Sequence, residues 1–87
     1  MKNINDLEKC FYNAIIKNAK YIAVKIKINE FPKPEIIINE NANFSEKLKY
    51  YQNIYDDNLK HKHADNIRII GFRYFDDIKE IEYLIKE

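Results

Sequence analysis

The stretch Tyr21 to Asn39, YIAVKIKINEFPKPEIIIN, decides the fold, because it reads as two strands joined by a proline-stiffened loop. Ile22, Val24, Ile26 and Ile28 alternate with Tyr21, Ala23, Lys25 and Lys27, which is the period-two pattern of a strand with one apolar and one wet face. After Phe31-Pro32-Lys33-Pro34, the run Ile36-Ile37-Ile38 is β-branched throughout and predicts a strand covered on both faces. Both prolines lie outside the two runs, where a missing N–H breaks no ladder.

Outward from this hairpin the periodicity changes to that of helices. Ile4, Leu7, Phe11, Ala14 and Ile15 recur at three- and four-residue spacing, so a first amphipathic helix is expected, capped by Asn3 or Asn5 and ended by Asn18-Ala19-Lys20. Asn43-Phe44-Ser45-Glu46 has capping-box spacing and opens a second helix to about Asp56, with Phe44, Leu48, Tyr51 and Tyr55 inward. Leu59 to His63 reads either as loop or as a short fourth strand. Ile67 to Phe75, IRIIGFRYF, is the third clear strand: Ile67 and Ile69 are expected on one face, Ile70, Phe72 and Tyr74 on the other, with Gly71 marking a bulge or a close backbone approach. Asp77 to Glu80 repeats the capping spacing and opens a closing helix with Ile78, Ile81 and Leu84 or Ile85 inward.

The expectation is one α+β domain over residues 1–87, in the order αββαβα. Its three-stranded, or four-stranded, antiparallel sheet has strand order two, one, three, and the helices pack mainly on one face. Three helices cover one face of such a sheet more easily than both. The second face is therefore expected to meet a terminal helix or another chain.

Composition narrows the function classes. Fifteen Lys plus Arg against fourteen Asp plus Glu leave a net charge of +1, so no overall field draws in nucleic acid or an anionic membrane, and a charged partner must meet a local patch. The single cysteine, Cys10, rules out an intramolecular disulfide and a four-thiolate zinc site. The opening MKNINDLEKC has no apolar core after Lys2 and no run reaches membrane-spanning length, so the expectation is a cytoplasmic protein without membrane contact.

Candidate sites are few. Lys25, Lys27, Arg68 and Arg73 line up as a basic stripe across adjacent strands if a bulge at Gly71 realigns the two arginines, with Tyr21 and Tyr74 interleaved as stacking surfaces. Outward lysines on strands also serve solubility alone. Among seven tyrosines, Tyr12, Tyr50 and Tyr83 fall off the buried stripes and are the expected exposed aromatics, which suit protein contacts. His61 and His63 share one side of an extended segment, but a metal needs further ligands and the neighbouring aspartates read as turn residues, so no metal or cofactor is expected. The chain contains no Gly-rich phosphate loop, no Gly-x-Ser-x-Gly elbow and no HExxH pair. Cys10 with His61 or His63 would make a nucleophile and base, but Cys10 beside Phe11 reads as a small core filler.

Pro32 to Asn39, Asn43-Phe44 with Lys47-Leu48 and Tyr50-Tyr51, Tyr55 to Leu59, and Ile67 to Phe72 together resemble small proteins of clostridial-type phages and prophages. The opening Ile4-Asn5-Asp6-Leu7 and the helix-then-strands order also look like a small phage anti-CRISPR protein that blocks type II nucleases. The resemblance implies a non-enzymatic protein acting in the host cytoplasm, which binds and inhibits a host defence component through surface contacts. Tyr50, Lys25, Lys27, Arg68, Arg73 and Tyr74 are the contact residues to test. The rival expectation is a sponge for a signalling nucleotide or short nucleic acid, at the basic tyrosine-bearing sheet or at an interface between copies of a homo-oligomer.

Overall fold

The computed structural model describes residues 2–86. Its elements are α1 (Ile4–Ile16), β1 (Tyr21–Ile28), β2 (Glu35–Glu40), α2 (Phe44–Ile54), β3 (Ile67–Phe75) and α3 (Ile81–Lys86), with 3₁₀ turns at Asn41–Asn43 and Ile78–Glu80. The strands form one antiparallel sheet in the order β2-β1-β3, so the α+β reading, the αββαβα order and the central place of β1 all hold.

Local chemistry fixes where α1 begins and stops. The Asn3 carboxamide accepts from the Asp6 N–H at 3.1 Å while the Asp6 carboxylate accepts from the Asn3 N–H at 2.9 Å, a reciprocal capping box. At the other end Asn18 turns left-handed, with φ 53°. Its N–H bonds the Ile15 carbonyl, and the Ala19 N–H bonds that of Ala14, the paired bonds of a Schellman stop.

The start of α2 differs from expectation. The Asn43 side chain makes no cap bond, because its backbone is not extended and the preceding 3₁₀ turn satisfies the Phe44 N–H through the Asn41 carbonyl. The helix also ends at Ile54, short of Asp56, since Tyr55 is drawn into extended backbone and bridges His61.

The sheet has two unequal faces. On one, Ile22, Val24 and Ile26 of β1 meet Leu7, Phe11 and Ala14 of α1 and Phe44, Leu48 and Tyr51 of α2. Phe11 is the hub: its ring packs edge-on to Phe44 at 6.1 Å and against Tyr51 at 5.9 Å. Ile15, expected inward, lies off this line and is exposed. On the other face α3 sets Leu84 and Ile81 over Ala23, Phe75, Tyr21 and Ile36. A terminal helix therefore supplies the second cover, and the face read as wet along β1 is half dry. Of Leu84 or Ile85, expected inward as alternatives, Leu84 is the buried one and Ile85 is exposed; Ile78, also expected inward, is exposed in the 3₁₀ turn before α3.

Two strand expectations are corrected by topology. Ile36 to Ile38 is not covered on both faces: β2 is an edge strand, Ile36 is half-buried, and Ile37 and Ile38 are exposed. In β3 the register slips between Lys25 and Ile26, which pair with Gly71 and Ile69, so Ile70 is the extra residue of a bulge. That bulge returns Ile67 and Ile69 to the same face as Phe72 and Tyr74, against α1 and α2. The far edge of β3 is met by the segment after α2. The His61 N–H bonds the Ile67 carbonyl and the Ile69 N–H bonds the Leu59 carbonyl, a rudimentary fourth strand over residues 59–61.

Candidate contact surface

The bulge at Ile70 decides where the basic residues go. Lys25 is opposite Gly71, Ala23 opposite Arg73 and Lys27 opposite Arg68, so Lys25, Lys27, Arg68 and Arg73 all project to the α3 face. The four cations foreseen as one stripe thus share a face, but they do not share an environment.

Lys25 is not an outward contact residue. It is 6 % exposed, lies under the C-terminal end of α3 and donates from Nζ to the carbonyls of Leu84 at 3.0 Å and Ile85 at 3.4 Å. A cation placed there answers the orphan carbonyls and negative dipole end of the helix, so its charge serves the docking of α3. Arg73 is exposed and its guanidinium lies 4.9 Å from the ring centre of Tyr83, which is 59 % exposed on the outer side of α3. Lys27 is exposed. Arg68 is half-buried, and its Nε is buried with no hydrogen-bond partner among the described residues.

Of the two tyrosines named with the stripe, Tyr21 shares its face and Tyr74 does not. Tyr74 is opposite Ile22 on the face of α1 and α2, half-buried, with the Lys17 ammonium 5.5 Å from its ring. Tyr50 is exposed as expected, but on α2, packed edge-on against Tyr51 at 5.3 Å. It therefore belongs to the opposite side of the molecule from Arg73 and Tyr83. Tyr12 and Tyr83 are likewise exposed, in keeping with their position off the buried stripes, whereas Tyr21 packs against Phe75 at 5.4 Å.

The remaining candidates stay apart. His61 and His63 stack edge-on at 6.0 Å, and the His63 N–H bonds His61 Nδ1. Among the described residues no third His, Cys, Asp or Glu joins them to make a metal-sized cluster. Cys10 lies beside Tyr74 at one end of β3, while His61 meets Ile67 at the other, roughly 20 Å along the strand by its rise per residue. Burial pushes the Cys10 thiol up from 9.0 to about 11, against weaker opposing pulls from the Lys2 charge and the Tyr74 backbone bond, which keeps it a protonated thiol.

Reasoning from sequence missed Lys60. Its position follows from the pairing of residues 59–61 with β3, where Lys60 bridges Arg68 directly. The signal available was the unresolved choice between loop and strand for Leu59 to His63.

No protein-family model, curated protein or solved structure matches the chain. No helix among the described residues is long and apolar enough to cross a membrane.

Proposed function

We propose that the chain is a non-enzymatic phage or prophage protein that binds a host protein in the cytoplasm and thereby inhibits a host defence component. The observation that supports this is the pairing of Arg73 with Tyr83: an exposed guanidinium lying over an exposed ring, held at the junction of β3 and α3. Arginine and tyrosine offer large, stiff contact area with polar tips, and they are enriched where protein interfaces concentrate their binding energy. The phage-type resemblance of the sequence supplies the class of target. A tagged chain passed over host lysate should retain one stoichiometric protein, and Arg73→Glu and Tyr83→Ala should each release it. Recovery of no partner, or of one that both variants keep, would count against the reading.

The second reading is a sponge for a signalling nucleotide or short nucleic acid. It is favoured by the bulge that brings Lys27, Arg68 and Arg73 to one face. A nucleotide ligand should raise the melting temperature by mass action, whereas a pure protein-contact domain should show no shift with any nucleotide.

A further inference from the structure

Lys27 and Arg68 are direct partners across β1 and β3, and Arg68 and Lys60 are direct partners across β3 and the segment that follows α2. Partners in an antiparallel pair project to the same face, so these three cations form one row perpendicular to the strands. With neighbouring strands about 4.8 Å apart, the row runs roughly 10 Å from its first residue to its last. Like charges set directly opposite each other destabilise a sheet, and this row does so twice in succession. Among the described residues none of the three makes an ion pair, and the buried contacts of α3 are with Ala23 and Phe75. At the centre of the row Arg68 is half-buried and carries a buried Nε without a hydrogen-bond partner among the described residues. The Arg68 side chain donates no hydrogen bond among the described residues, so its guanidinium is left to make charge-assisted bonds with phosphate oxygens.

We infer that Lys60, Arg68 and Lys27 form a binding site for a ligand bearing two or more phosphate groups, with Arg68 the central donor and the two lysines flanking it. The length of the row exceeds a single phosphate and suits adjacent phosphates of a nucleotide or of a short strand. The inference rests on the second functional reading and deepens it. The protein-contact reading has its contacts at Arg73 and Tyr83 and does not depend on it.

The test uses the full chain at low salt, with backbone amide signals followed by NMR during titration with inorganic phosphate, pyrophosphate, a nucleoside triphosphate and a mixed-sequence hexanucleotide. Pyrophosphate and the two nucleotide probes should move the signals of Lys60, Arg68 and Lys27 and bind more tightly than phosphate, weakening as salt rises. Arg68→Gln should reduce affinity about tenfold and the exposed Lys60→Gln about threefold, in keeping with charge-assisted bonds at a partly buried and at a surface group. A hexanucleotide that outbinds the triphosphate assigns the site to strand phosphates, and the reverse order assigns it to free nucleotides; both support the inference. It is overturned if no probe moves the three signals at millimolar concentration, if phosphate binds as well as pyrophosphate, if Lys60→Gln leaves affinity unchanged, or if the shifts centre on Arg73 and Tyr83.

Discussion

The two faces of this one sheet are held down by different physics. Against α1 and α2 the sheet buries Ile22, Val24 and Ile26 under interlocked rings, with Phe11, Phe44 and Tyr51 all but sealed from water. Against α3 it buries Ala23, Phe75 and Leu84, and then uses a lysine from the middle of β1 to hold the last carbonyls of the helix. The first face is stabilised by apolar area and packing, which scale with the size of the side chains. The second is stabilised by a small apolar contact and charge-assisted hydrogen bonds. A short helix cannot bury enough surface to stay docked on area alone. The face with less packing is also the one that keeps cations, Lys27 and Arg73 among them, in contact with solvent.

This contrast can be broken from either side. Phe11→Ala empties the hub of the larger core and should cost about 3–5 kcal/mol, the range for truncating a buried Phe, seen as collapse of the whole urea transition. Leu84→Ala removes the one sealed residue of α3 and should cost about 2–3 kcal/mol. Its signature is local: amide exchange should accelerate over residues 78–86 while α1 and α2 keep their protection. If Leu84→Ala melts both faces together, the two do not behave as separate layers. Lys25→Met keeps most of the stem's volume and removes the ammonium, so it should cost about 1–2 kcal/mol, with the same local exchange pattern in a milder form. An undiminished α3 in that variant would show that the carbonyl bonds contribute nothing to docking.

The smallest effect lies in alkaline pH. The Cys10 thiol is raised to about 11 by burial and Tyr55 to about 12, again by burial first, so the folded chain holds protons that the unfolded chain releases sooner. Their contributions are complete below the ordinary pKa values and are lost as pH climbs through the raised ones. Stability in urea should therefore fall as pH rises above about 9, and Cys10→Ala should lose less than the parent chain over the same interval. Equal losses in both would remove Cys10 from the account.

Much of the architecture was legible without coordinates. The hairpin, the Phe44-Leu48-Tyr51-Tyr55 stripe, an asparagine cap at Asn3 or Asn5 and the exposure of Tyr12, Tyr50 and Tyr83 all follow from periodicity and capping chemistry, which act within a few residues of each other; the structure chose Asn3. The candidate surface was legible only in part. Lys27, Arg68 and Arg73 were named correctly as sharing a face, conditional on a bulge whose presence Gly71 hinted at and whose position at Ile70 the register supplied.

What the sequence by itself determined is the set of elements and their order, because strand alternation, helical spacing and caps are local properties of the chain. What only the tertiary structure decided is which side each polar residue serves: Lys25 turned under a helix, Tyr74 taken to the opposite face, Lys60 brought level with Arg68. A one-residue slip in β3 and the docking of a segment remote in sequence set those outcomes, and neither leaves a periodic trace in the residues concerned.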